Sequence, residues 1–151
     1  MKRSLKFERI YRKGQRLALK EQYDDAIHYF EKVLEKHPND TNSMYSKALS
    51  LIELEEYQKA IPHLEEKRRE KATSEVLALL GWCLWNSSRK REAEDIISLS
   101  LTIGKPTTRA LQYATKIAIS QGKKRRAKRR LLQLLQIDPD NDWAKTSLNN
   151  L

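Results

Sequence analysis

Three histidines, one cysteine and a few adjacent acidic pairs are the side chains from which acid–base, nucleophilic or metal chemistry could be assembled in this sequence. None has the spacing such chemistry needs. His28 and His63 fall on separate helical segments and His37 precedes Pro38 in a turn, so no two histidines stand four apart on one helix face, where they could grip a metal ion. Asp24/Asp25, Glu55/Glu56 and Glu65/Glu66 are sequence neighbours, which point in different directions on a helix, and they read as helix-start charge and solvated faces. Cys83 stands alone, cannot close an internal disulfide, and reads as a small buried apolar residue in a reducing compartment. The expectation is no catalysis, no metal and no cofactor.

The chemistry the sequence does concentrate is positive charge. The 151 residues carry a net charge of +10, and residues 108–141 hold nine Lys and Arg against two Asp. Most of that excess lies in Lys123, Lys124, Arg125, Arg126, Lys128, Arg129 and Arg130, broken only by Ala127. Such a run can meet phosphates, an anionic membrane surface, an acidic protein or a nuclear-import receptor, or it can be a solvated face that keeps the chain in solution. With charges all round its first two turns the helix is not amphipathic, which argues against insertion at a membrane surface. Nucleic acid could be held by phosphate contact alone, about five contacts giving a salt slope of about −3.5 to −4.5. Zinc-finger spacing, an RNA-recognition signature and a glycine-rich phosphate loop are missing, so no motif supports sequence-specific readout.

The elements that position these groups announce themselves by repetition. Ala26 in YDDAIHYF, Ala60 in YQKAIPHL, Ala93 in RKREAEDII and Ala127 in KRRAKRRLL are separated by 34, 33 and 34 residues, and Pro38 and Pro139 keep the same register at 101. A helical period near 34 signals a solenoid. At these residues the chain resembles the tetratricopeptide-repeat family, whose motif is a helix pair with a Leu-Gly pair on the first helix, a small residue and then an aromatic on the second, and a closing Pro. Residues 7–40 match with Gly14, Tyr23, Ala26, Phe30 and Pro38; 41–73 with Ala48, Tyr57, Ala60 and Leu64. Residues 74–107 match with Leu80-Gly81, Ala93 and Pro106; 108–141 with Ala114, Ala127, Leu131 and Pro139. The resemblance implies one domain over 1–151, an all-α, right-handed α-solenoid of four helix pairs with a capping helix over 142–151.

One stretch departs from the pattern. Glu65-Glu66-Lys67-Arg68-Arg69-Glu70-Lys71 stands where the second repeat should finish its second helix, which points to a helix that ends early or splays, with Pro62 in or just past its first turn. On the basic helix, Leu131, Leu132, Leu134 and Leu135 are expected to supply the buried side.

The family's geometry places the first helix of each pair on the concave side. Carried over residue by residue, it implies a binding groove of Tyr11, Arg12, Gln15, Tyr45, Leu49, Trp82, Trp85, Arg109, Tyr113 and Lys116, aromatic at its centre. Tyr and Trp offer large contact area with few rotatable bonds. The resemblance therefore implies a non-enzymatic scaffold or adaptor that binds a peptide or partner helix, with acidic partners selected by the basic repeat. Nucleic-acid binding by the basic face and self-association stand as alternatives. The Lys/Asn clamp with which some family members grip chaperone C-termini is not matched, since its positions read Tyr11, Gln15, Ser46, Glu75 and Leu79. The N-terminal MKRSLKFERIYRKGQ lacks an apolar core and no window approaches 18 apolar residues, so neither a secretory signal nor a membrane span is expected, and the cytoplasm is the expected location.

Overall fold

The computed structural model describes residues 3–151; the first two residues of the basic N-terminal stretch lie outside the described residues. Among these residues the chain forms nine helices: α1 Leu5–Leu19, α2 Tyr23–Lys36, α3 Thr41–Glu53, α4 Tyr57–Glu70, α5 Ser74–Asn86, α6 Lys90–Thr102, α7 Thr108–Ser120, α8 Lys124–Ile137 and α9 Asp142–Asn149. They divide into two units, one ending at Ala72 and the other spanning Thr73–Leu151, at the joint between the second and third repeats. The architecture is an all-α helical-repeat solenoid.

Two local devices set the joints. Helices α3, α5, α7 and α9 each start on a polar side chain that accepts a backbone N–H: Asp40 from Ser43, Thr73 from Val76, Thr107 from Ala110 and Asn141 from Ala144, at 2.9–3.2 Å. The turn inside each pair is closed differently. Glu21, Glu55, Ser88 and Gly122 all have positive φ, between 59° and 69°, and the next residue's N–H reaches back to a carbonyl five residues earlier: Gln22 to Leu17, Glu56 to Leu51, Arg89 to Leu84 and Lys123 to Ala118. This is the Schellman closure, which satisfies the last carbonyls of the helix and reverses the chain. Its spacing of 34, 33 and 34 is that of the alanines, so turn and core keep one register.

That register locates the close approach within each pair. Ala26, Ala60, Ala93 and Ala127 are all fully buried on the second helices. On the first helices the matching small positions are Gly14, Ala48 and Gly81, each buried, and then Thr115 rather than Ala114. Ala114 is buried as well, but the fourth turn counts back to Thr115, which fits because its hydroxyl donates to the Leu111 carbonyl at 2.7 Å. Phe30 and Ile97 face Gly14 and Gly81 from the second helices, Leu64 and Leu131 hold the same register, and all four are at most 3% exposed.

Two expectations are corrected. The second repeat's charged stretch does not end its helix: α4 continues to Glu70 with Pro62 exposed in its second turn. Ion pairs one turn apart line its last two turns, Lys67 to Glu70 at 2.8 Å, Arg68 to Glu65 at 3.6 Å, and Arg69 to Glu66, while the Lys67 ammonium also donates to the Asn42 side chain of α3 at 3.0 Å. Of the four leucines expected to bury α8, only Leu131 and Leu134 are fully buried; Leu135 is partly so, and Leu132 is 46% exposed.

Titration of unit 1 follows from its packing. Burial, reinforced by Lys47 and opposed by Glu31, pushes the imidazole of His63 on α4 below its usual pKa. The folded state therefore prefers neutral His63, so this contribution is complete above the unfolded value near 6.5 and is lost as pH falls through the depressed folded value. Asp40 acts lower. Burial alone would raise it, but hydrogen bonds from Arg3 and Ser43 outweigh burial and hold it below 3.8, so its contribution is lost only in stronger acid. Thermal melts should show a first loss of stability as pH falls below about 6.5, and His63→Gln should remove that first loss and leave the acid one.

Candidate functional site

In unit 1 the aromatic candidate on α1 is held from three sides. Tyr11 shares a hydrogen bond with the Ser46 hydroxyl of α3 at 3.0 Å, accepts one from the Gln15 amide at 3.2 Å, and leans on Phe30 with ring centroids 5.7 Å apart. The guanidinium of Arg3 lies 3.7 Å over its ring while reaching Glu8 at 2.8 Å and the carboxylate of Asp40. Tyr11 is thus a half-buried, oriented side chain. Arg12 and Gln15 are exposed beside it, with Arg12 paired to Glu8 at 3.1 Å, and Tyr45 and Leu49 are half-buried on α3.

Unit 2 brings more of the candidates together. The rings of Trp82 on α5 and Tyr113 on α7 stack in parallel, 4.8 Å between centroids and 3° between planes. Lys116, one turn after Tyr113, places its ammonium 5.4 Å from Trp82, 6.0 Å from Tyr113 and 5.8 Å from Trp143 of α9. Distances of this order give attraction between a cation and the negative faces of aromatic rings. Below them Arg109 pairs with Glu75 at 2.6 Å, and Glu75 also accepts from Thr107 at 3.1 Å, tying α7 to α5. Trp85 stands at the end of α5 with the Lys90 ammonium 5.0 Å over its ring. Trp82, Trp85, Tyr113 and Lys116 are partly exposed, so this cationic aromatic face can be touched.

The basic run is not uniform. Lys123, Lys124, Arg125, Arg126, Lys128 and Arg129 are exposed, and among the described residues none of them is in an ion pair. Arg130 is turned inward, donating to the Ala114 carbonyl at 2.8 Å, and burial together with Arg126 and Arg129 lowers its pKa. It fastens α8 to α7 rather than joining the exposed patch. Cys83 is fully buried, and burial pushes its thiol up to about 12, which leaves no thiolate for chemistry near neutrality. Among the described residues no group of His, Cys, Asp and Glu side chains could hold a metal ion, and no helix is long and apolar enough to cross a membrane.

A tetratricopeptide-type family model described as anaphase-promoting complex, cyclosome, subunit 3 matches residues 19–99, more than half of the chain. The chain belongs to this tetratricopeptide-repeat family. No curated protein matches the sequence. Solved structures with the same fold include a MamA fragment from Desulfovibrio magneticus RS-1, 20% identical with a TM-score of 0.77 over 90% of this chain and 77% of that one. YrrB, described as a TPR protein with an unusual peptide-binding site, is 23% identical with a TM-score of 0.75 over 94% and 73%. Human IFIT1, solved as a dimer with m7Gppp-AAAA, is 26% identical with a TM-score of 0.74; the match covers 88% of this chain but 32% of that one.

Within the tetratricopeptide register the unit 2 cluster is intelligible. Lys116 follows Trp82 by 34 residues, and Trp143 follows Arg109 by 34. Trp143 opens the capping helix α9. It packs on the cluster of Leu111, Leu131, Leu134 and Ala144, and it also closes the far side of Lys116. The signal that could have found it is its register position, 34 residues after Arg109.

Proposed function

We propose that this tetratricopeptide-repeat chain is a non-enzymatic interaction scaffold that binds a peptide or partner helix on the aromatic face of its first helices. The observation that carries this reading is the Trp82–Tyr113 stack with the Lys116 ammonium beside it. Rigid rings with a cation held over their faces provide apolar contact area and a site for a carboxylate or carbonyl in one place. The family description names a subunit of a complex, and YrrB is described as binding peptide, which agrees with an assembly role. The Tyr11–Ser46 pair gives unit 1 a smaller face of the same kind.

Selection from a displayed peptide library tests the reading. Selected peptides should bind at least about tenfold more weakly to Trp82→Ala and to Lys116→Glu. Trp82 also rests on Ile97, Ala114 and Ile117, so far-UV circular dichroism must accompany its replacement, whereas Lys116→Glu leaves that cluster whole. Peptides that bind both folded variants as tightly as wild type would defeat the proposal.

A further inference from the structure

Helix α1 carries a charge pattern written in spacing rather than in a run. Lys6, Arg9, Lys13, Arg16 and, at the C-cap, Lys20 follow one another at intervals of three, four, three and four residues, which sets all five along one side of the helix. The row is roughly 21 Å long at about 1.5 Å per residue. All five side chains are exposed, and among the described residues none of them is in an ion pair. The one carboxylate of α1, Glu8, lies off the row and is engaged by Arg3 and Arg12. Lys32 of α2 adds to the positive potential, since it and Lys13 both stand over the Tyr29 ring, 5.0 and 4.8 Å from its centroid.

The repeat register shows what this side of a first helix ordinarily meets. Arg9, Lys13 and Arg16 correspond to Ser43, Lys47 and Ser50 of α3 and to Ala110, Ala114 and Ile117 of α7. There the side turns to the preceding helix pair: Lys47 pairs with Glu31 of α2 at 3.1 Å, and Ala114 and Ile117 pack with Ile97 of α6. Apart from Lys47 these residues are at most 4% exposed. A further repeat laid on α1 would bury three unpaired cations at these places, which is strongly unfavourable. The side is therefore built for water or anions and not as a joint of the solenoid. The opposite side of α1 is packed, with Tyr11 on Ser46 of α3 and Gly14 against Phe30 of α2. Leu5 and Leu19, exposed singly at the two ends of α1, do not make an apolar face to sink into a membrane. Nor does the row hold an apolar residue to form the core of a protein interface, from which Lys is depleted. Interfaces with nucleic acid are far more positive, and Lys and Arg aligned along one helix are their electrostatic footprint.

We infer that α1 binds the phosphate backbone of a nucleic acid through Lys6, Arg9, Lys13, Arg16 and Lys20. Cations on phosphates carry no sequence information, so binding is independent of sequence. The row shares no residue with the aromatic face around Trp82, and the two are tested apart.

The test is fluorescence anisotropy with a short labelled duplex DNA, titrated at several salt concentrations. Five phosphate contacts predict a slope of about −4.5 for the logarithm of the association constant against that of salt, a loss of about 500-fold between about 50 and 200 mM. Arg9→Gln/Lys13→Gln/Arg16→Gln should bring the slope to about −1.8, and Lys6→Gln/Lys20→Gln, at the helix ends, to about −2.7. Arg9→Lys/Arg16→Lys keeps the charge and should keep the slope. Circular dichroism should be alike for all, since the substituted side chains are exposed and outside the core. A duplex of a second sequence should bind equally. Absence of binding at low salt overturns the inference. So does an unchanged slope in both glutamine variants, with loss instead in Arg125→Gln/Arg126→Gln/Arg129→Gln, which would assign the nucleic acid to α8. Displacement of the duplex by polyglutamate or by phosphatidylserine vesicles at equal charge concentration would also overturn it, marking a face for an acidic protein or a membrane.

Discussion

Phe30→Ala is expected to destabilise unit 1 by about 3–5 kcal/mol, a large share of the roughly 5–15 kcal/mol that holds a domain folded. Phe30 is fully buried, and its ring fills the gap left by the missing side chain of Gly14, where an added Cβ would stand 2.7 Å from Cε1. The two residues are halves of one contact, so their substitutions must couple. In the wild-type background Gly14→Ala drives a methyl into the ring, costing about 1–3 kcal/mol against a helix-propensity gain of up to about 1 kcal/mol. After Phe30→Ala the ring is gone, the methyl enters the space, and the propensity gain remains. Urea titrations should therefore show Gly14→Ala destabilising the wild type but stabilising Phe30→Ala. An equal cost in both backgrounds would mean that the helices do not meet at this contact.

The second large effect lies in unit 2. Gly81→Val is expected to cost about 2–3 kcal/mol, because the Cβ alone would lie 2.6 and 2.8 Å from the Ile97 side chain and 3.3 Å from its backbone nitrogen. Ile97 is 3% exposed and cannot swing aside, so α6 itself must retreat from α5. Trp82 packs on the same Ile97, and the substitution should disturb the Trp82–Tyr113 stack along with stability. Gly122→Ala is the contrasting case. Nothing lies within 4 Å of its added Cβ, but φ is +69°, so its cost is the backbone's, about 1–2 kcal/mol. Melting curves that rank Gly122→Ala above Gly81→Val in damage would contradict this account of the α5–α6 approach.

Much of the fold was legible because the repeat writes itself in residue size. A small residue is needed wherever two helices touch most closely, and Ala26, Ala60, Ala93 and Ala127 mark that place four times. The fourth first-helix position was misread as Ala114 because Thr115 is a polar residue, and only the fold shows that its hydroxyl is satisfied inside its own helix. The continuation of α4 was obscured for a related reason: Glu65 to Glu70 look unfit for a packed helix, yet ion pairs one turn apart and long aliphatic stems let them lie along it. Arg130 could not be separated from its neighbours by charge alone, since its burial depends on the Ala114 carbonyl across the pair. The aromatic candidates were legible by register, but the meeting of Trp82, Tyr113, Lys116 and Trp143 joins three helices and is a tertiary fact.

Where a partner sits is measured directly by a nuclear magnetic resonance titration of the labelled chain with a library-selected peptide. Binding on the aromatic face predicts that the Trp82 indole N–H and the amides around Tyr113 and Lys116 shift and saturate together, while the amides of α6 stay still. Saturating shifts confined to the second helices, with the Trp82 indole unmoved, would contradict it.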